Sequence, residues 1–353
     1  MTQAAALSIG GRRAESPGLW VLAWRRFCRD RVGLVSFLIV VFFSGLMVAS
    51  GLHLVAADWS KEVGVNYAPP TFAGPTIPDG SAAAPVSSEA AGEASPVAGD
   101  TDIVDPLAEV LAQIRSESGG ASVADAQAPT LVFGGDRWGR DVLQKTIKGT
   151  ETSMFVGLVA ALLATFLATV FGALAGYYGG WIDDFFNWFY SVFTSIPYLL
   201  LILAIAAVLN QKGTLTVILI LGLTGWTGIF RLVRAEYLKH KVREYIQAAD
   251  AIGASHARRM FVHILPNVSH VILVQLSLHV VLFIKSEVVL SFLGFGVGVD
   301  TVSWGSMLNE AQSELILGYW WQLVAATVAM ALLVTGFSLF TDALRDALDP
   351  KLK

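Results

Sequence analysis

Apolar positions along the chain gather into long unbroken runs instead of alternating with polar ones. Six runs stand out: Val32–Ala57, Ser153–Tyr178, Phe185–Leu209, Thr214–Phe230, Val268–Leu293 and Tyr319–Phe340. About 20 such residues in a helix cross the hydrocarbon core of a bilayer, and even the fourth run, the shortest, is long enough to span. Backbone polar groups find no water in lipid, so each run must satisfy them internally as a helix. The ten-residue alternation of a membrane β-barrel is absent. The pattern predicts an all-α membrane protein with six transmembrane helices.

Composition agrees. Of 353 residues, 54% are hydrophobic and 15% charged, against about 25% charged in soluble domains. Well inside the runs, only His53, His279, Lys285 and Glu287 can titrate. The net charge of −4 conceals a segregation. Six arginines (Arg12, Arg13, Arg25, Arg26, Arg29, Arg31) precede the first run, and seven basic residues lie from Arg231 through Arg259. Residues 58–133 hold eleven acidic residues against Lys61 and Arg115. Basic loops stay cytoplasmic, so both termini are expected inside and residues 58–133 outside. The expected organisation is a cytoplasmic segment 1–31, a first helix 32–57, an extracytoplasmic insertion 58–133 and a core 134–353. That core carries helices 2–6 and a cytoplasmic loop 234–266. The N-terminus lacks an early apolar stretch with a cleavage site, so the first helix is expected to remain as an anchor.

Between the first two helices, roughly Asn66–Thr130, Ala, Pro, Ser and Gly predominate. Such a stretch has too little apolar surface to offset its ordering entropy and is expected to form a mobile loop. Within it, Asp105-Pro106 reads as a helix start. Leu107, Val110, Leu111 and Ile114 follow at helical spacing. Pro197 interrupts the third run and predicts a kink at Ile196-Pro197, either lining a pathway or easing packing. The second run ends in GALAGYYGG, whose glycines permit close helix contact or a tight turn. Cys28 is the single cysteine, so no intrachain disulfide forms.

Catalytic signatures are missing. No phosphate-cradling Gly-Lys-Ser/Thr loop, HExxH pair, cysteine pair or nucleophile elbow occurs. The six histidines offer no metal-ligand cluster, which leaves a membrane-embedded enzyme without its chemistry. A self-powered secondary transporter needs several buried ionisable groups, and only the fifth run has any. There His279, Phe283 and Glu287 fall at four-residue steps on one face, whereas Lys285 points elsewhere. Glu287 must meet a polar cavity, a partner helix or the outer boundary. Together with Pro197 these residues are the candidates for a translocation path.

The stretch REYIQAADAIGASHARRMFVHILP (243–266) is polar amid lipid-compatible sequence. It reads as two short helices and a turn. Tyr245, Ala248, Ala249 and Ile252 form a narrow face of small and apolar residues, with Tyr245 as a bulky anchor. Gly253 suits a left-handed cap, Ser255 can cap the second helix, and Pro266 marks the entry to the fifth run. Arg258 and Arg259 would lie near the membrane surface. A unit with so little core of its own must dock on something.

This stretch resembles the EAA motif of ATP-binding cassette importer permeases, with Ala248, Ala249, Gly253 and Pro266 in register. It departs from the motif at Gln247, which stands for the glutamate, and at Ile264-Leu265-Pro266, which lacks an intervening residue. GGDRWGRD (134–141) is similar to the GTDxxGRD signature of peptide-type permeases, with Gly135 at the threonine. GYYGGWID, SFLGFG (291–296), SWGSML (303–308), DALRDALDPK (342–351) and AWRRFCRDRVGLVSF match the same group. The chain is thereby identified as a second-type permease of the dipeptide/oligopeptide/nickel importers. That resemblance implies the type I importer permease fold, a bacterial inner-membrane location and translocation of peptides. It implies a homologous permease partner, two cytoplasmic ATPases holding ATP and Mg, an extracytoplasmic solute-binding protein, and no nucleic acid. It also implies that Tyr245, Gln247, Ala248, Ala249, Asp250, Gly253 and Pro266 belong to the segment that docks on the ATPase.

Overall fold

A computed structural model describes residues 26–74, 127–298 and 300–348. Arg12, Arg13, Arg25, the 105–114 helix expected from the sequence and residues 349–351 of the last motif lie outside them. Nine helices carry the described residues: α1 Arg31–Gly51, α2 Val142–Tyr178, α3 Gly180–Thr194, α4 Tyr198–Leu209, α5 Thr214–Lys241, α6 Glu244–Ala251, α7 His256–Phe292, α8 Trp304–Ile316 and α9 Trp321–Leu348. Among the described residues there is no extended strand, only isolated bridges.

Five helices are long and apolar enough to cross a membrane: α1, α2, α5, α7 and α9. The sixth expected span is the pair α3 and α4, bent by 81° at residues 195–197. The kink anticipated at Ile196-Pro197 is therefore a full break. Pro197 takes ψ 130 and starts α4 instead of continuing α3. Other boundaries move as well. α1 ends at Gly51, and His53 and Ala56 beyond it adopt positive φ, so His53 lies outside the helix. α2 starts eleven residues before Ser153, and α5 runs on to Lys241. α8 corresponds to no apolar run. It starts on a capping box in which Ser303 and Ser306 satisfy each other's backbone.

α2 is the spine. Ala160, Ala161, Ala164 and Ala168 are wholly buried, because small side chains let α5 and α7 approach its backbone closely. A Cβ on Gly157 would strike Ile284, and one on Gly172 would lie 2.9 Å from Val233 Cβ. The glycines of GALAGYYGG thus serve both anticipated purposes. Gly176 contacts Arg234, while Gly179 and Gly180 turn the chain into α3 with φ 70 and 55. α1 packs on α9 through Gly33 against Ala343 and Gly336 against Ile39. It meets α2 where Ser50 donates to Glu151 at 2.5 Å.

The two ends of the expected mobile region are built into the fold. Residues 58–74 and 127–141 meet through bridges Glu62–Arg140, Gly64–Ala128 and Pro70–Leu131. Ala68 is fully buried, and Tyr67 stacks on Tyr319 at 4.3 Å. Backbone pairing orders them, with Gly135 N donating to Ala68 O at 2.7 Å and Tyr67 N to Asp136 O at 3.0 Å. GGDRWGRD is a structural corner. Asp136 accepts from the backbones of Trp138 and Arg140, and Asp141 caps α2.

Candidate functional site

The polar unit sits where α5, α6 and the start of α7 meet, at the Tyr178 end of α2. α6 keeps Ile246 and Ala249 inward, both buried, Ile246 in a cluster with Tyr177, Tyr237 and Met260. Residues three apart share a helix face, and the larger Ile246 commands the inner position. The contact face expected from the sequence is therefore divided. Tyr245, Ala248 and Ile252 point outward, Ile252 at 85% exposure, while Ala249 turns inward. Gln247 and Asp250 are exposed as well. Gln247 donates to Val242 O at 3.3 Å. The Tyr245 hydroxyl meets His240 Nδ1 at 2.8 Å. Partial burial pushes that hydroxyl above its usual value, Arg243 pulling the other way, so Tyr245 stays neutral.

Gly253 closes α6 as anticipated. Its φ is +81, its N–H donates to Asp250 O at 2.9 Å, and Ala254 N donates to Ala249 O at 3.0 Å. These two bonds are the Schellman pair. A Cβ at Gly253 would meet nothing within 4 Å. Ser255 then caps α7, accepting from Arg258 N at 3.3 Å.

From there the structure departs from two separate short helices. α7 runs unbroken from His256 to Phe292 and passes straight through Pro266. A proline inside a helix removes one bond and crowds the preceding turn. Here a π-turn over Arg259–Ile264 loosens that turn, and Leu265 N reaches back five residues to Met260 O. Arg259 folds back onto the unit itself. Its side chain is 12% exposed, ion-paired with Asp250, 3.0 Å from His256 Nδ1 and over the Tyr177 ring. Tyr177 in turn bonds His256 Nδ1 at 3.0 Å, and Tyr237 donates to Met260 O at 3.2 Å. α6 is thus clamped to the first turns of α7. Nearby, Arg234 of α5 forks onto Asp183 of α3 at 2.5 and 2.6 Å.

The candidate path residues separate. His279, Phe283 and Glu287 share one inward face of α7, at 8%, 0% and 0% exposure. His279 bonds Gln275 O at 2.9 Å and meets the Phe283 ring edge-on. Glu287 accepts from Ser153 of α2 at 2.7 Å and from Ser291 at 2.6 Å. Buried polar groups of this kind need partners, and the two hydroxyls provide them. In this chain Glu287 is a helix-to-helix tie, while Lys285 is exposed on the opposite face of α7. Pro197 is exposed at the α3–α4 break.

The sequence did not reveal the densest charge cluster, at the far end of α2. Lys145 is 1% exposed and bonds Asp136 at 2.7 Å, Glu310 at 2.7 Å and Gln322 at 3.3 Å. Glu314, equally buried, accepts from Arg137 N at 3.3 Å. Its carboxyl is pushed up to about 7, burial outweighing the pull of Lys145. A lysine four residues into α2 carries no local sign of burial, since its partners lie in the corner before α2 and on α8 and α9. No group of three or more His, Cys, Asp and Glu among the described residues could hold a metal.

The polar, clamped unit on a bundle of apolar helices has a counterpart in known proteins. The family of binding-protein-dependent transport system inner membrane components matches residues 168–353. The chain belongs to that family. It is therefore a multi-pass membrane permease subunit of a binding-protein-dependent transport system. Similar proteins include the dipeptide transport permease DppC of Bacillus subtilis (strain 168), 39% identical over 221 residues, or 63% of this chain and 69% of the relative. The oligopeptide transport permease OppC of the same organism is 36% identical over 63% of this chain and 72% of its own length. The glutathione transport permease GsiD of Salmonella typhimurium is 40% identical over the same shares. The matched region of this permease includes the α6–α7 clamp and the whole of α7.

Proposed function

We propose that this permease forms one half of the membrane pathway of an ATP-binding cassette importer for peptides. It pairs with a homologous permease and is driven by two ATPase subunits that alone hold ATP and Mg. An extracytoplasmic binding protein delivers the substrate. The dipeptide, oligopeptide and glutathione permeases named above support the peptide class. The α6 end is assigned to the cytoplasm because Arg231 through Arg259 concentrate positive charge there. Both termini fall on the same side.

The observation that carries the coupling role is the build of α6. Ile246 and Ala249 bury one face, while Tyr245, Ala248 and Ile252 are left pointing outward, with the Tyr245 hydroxyl tied back to His240. Motion imposed on that face passes through the Asp250–Arg259 clamp into a continuous α7. Ala248→Trp adds bulk on the outer face at a helical position, with no backbone strain. Uptake of radiolabelled trialanine by cells carrying the whole transporter should fall by about tenfold or more, a loss worth at least 1.4 kcal/mol. Membrane abundance should stay unchanged. Wild-type uptake in both Ala248→Trp and Ile252→Trp would overturn the docking assignment.

A further inference from the structure

The end of the molecule remote from α6 contains a cavity of about 330 Å³, within the range of small-ligand sites. Trp59 and Trp138 wall it, and Arg137, Arg140, Lys145 and Lys212 line it against one carboxylate among the described residues, Glu310. Glu310 is already consumed by Lys145, which Asp136 neutralises further. Three cations remain. Among the described residues the side chains of Arg137, Arg140 and Lys212 have no carboxylate partner. Arg137 lies 5.0 Å over the Trp138 ring, and Arg140 lies 5.9 Å over both Trp59 and Trp138. Cation–π contact at this range draws both guanidinium groups toward the indole faces.

One donor is anomalous. Arg140 Nε is buried and has no hydrogen-bond partner among the described residues. A buried N–H left unmade costs free energy, and charged donors cost more, so Arg140 would gain from an acceptor that the described residues do not supply. The guanidinium edge matches a carboxylate, which can take two parallel bonds. The opposite wall is the 294–298 loop, where Gly294 and Gly298 leave open space at Cβ. An extended backbone can approach it closely, and the indole faces suit an apolar side chain.

We propose that this cavity binds the C-terminal carboxylate of an incoming peptide, Arg140 pairing with the carboxylate and Trp59 and Trp138 flanking the last side chain. Arg137 and Lys212 add long-range attraction at its mouth. This assignment deepens the peptide-importer reading and rests on it. It places a substrate contact on the permease itself, on the side where a binding protein would release its load.

The test uses the assembled transporter in nanodiscs without binding protein, with calorimetric titration of trialanine, trialanine amide and inorganic phosphate. Trialanine should bind about tenfold more tightly than its amide, corresponding to 1.4 kcal/mol. Arg140→Gln should bring the free acid to the level of the amide. Lys212→Gln, on an exposed residue that the fold does not need, should weaken the free acid alone. Equal binding of acid and amide, or phosphate binding as tightly as the peptide, overturns the assignment. A carboxylate could also arrive from the acidic stretch of the chain itself, so the titration is repeated with residues 80–120 replaced by a Gly-Ser linker. Discrimination that appears only in that variant assigns the cavity to the chain's own segment and also overturns it. Cellular uptake of trialanine separates the two layers. Uptake that does not depend on this permease defeats the peptide reading. Uptake that depends on it, with acid and amide bound alike, defeats the cavity assignment alone.

Discussion

Glu287 and Glu314 are both buried acids, and their surroundings treat them differently. Glu287 receives a serine hydroxyl on each oxygen. Glu314 receives one backbone N–H at 3.3 Å, and its Oε2 is buried without a partner among the described residues. Burial therefore holds the Glu314 proton up to about 7 instead of the ordinary 4.5. The sign of the linkage follows. Below about 4.5 the group is neutral folded or unfolded and contributes nothing. Between 4.5 and 7 the unfolded chain sheds the proton while the folded one keeps it, so rising pH destabilises the fold. The loss is complete above 7 and amounts to roughly 3 kcal/mol at most. In detergent, the melting temperature of Glu314→Gln should gain on that of the wild type from pH 4.5 to 7 and hold a constant lead above it. A difference that is flat across this window would show that Glu314 is not held neutral.

Elements were legible to the extent that one strong local signal decided each. Unbroken apolar runs located the spans, Gly253 and Ser255 marked the α6–α7 turn, and Pro197 marked a defect in the third run. What the signals could not set was how far each one acts. Pro197 becomes an 81° break because Ile196 is disfavoured in helical geometry. Pro266 breaks nothing because the π-turn before it supplies the slack. α8 went unseen because a polar, Ser-capped helix above the apolar runs carries no hydropathy signal. The inward turn of Ala249 depends on which neighbour is larger, and the pairs Asp183–Arg234 and Lys145–Glu310 join residues 51 and 165 apart in sequence. Periodicity does not contain such information. Pro197→Ala tests the break itself. Spin labels at Trp188 and Val208, both exposed, would stand about 30 Å apart along a straight helix and well short of that across the bend. The variant should gain a long-distance population near 30 Å that the wild type lacks. Identical distance distributions would mean that packing of α3 on α5, not the proline, sets the angle.

At the scale of the whole molecule, two long helices join its ends. α2 and α7 each extend over 37 residues, about 55 Å, from the α6 clamp at one end to the charged, tryptophan-walled end at the other. They lock along their length through Gly157 against Ile284 and through Ser153 against Glu287, so close-packed small residues oppose sliding of one past the other. The least regular section of α7 is its π-turn, which lies directly beside the clamp. Displacement entering at α6 can thus be lost there, unless Asp250 and Arg259 brace it. Asp250 is 63% exposed, so the pair is worth no more than about 1 kcal/mol of stability, and its importance is mechanical. Asp250→Ala should shift the melting temperature by only about 2 °C. In proteoliposomes of the full transporter it should lower peptide accumulated per ATP hydrolysed several-fold, with hydrolysis continuing. The exchanged pair Asp250→Arg with Arg259→Asp should recover part of that yield, because it restores the brace with its charges reversed. If Asp250→Ala transports with wild-type yield, the bracing argument fails, and the buried Ile246–Ala249 face must transmit the stroke unaided.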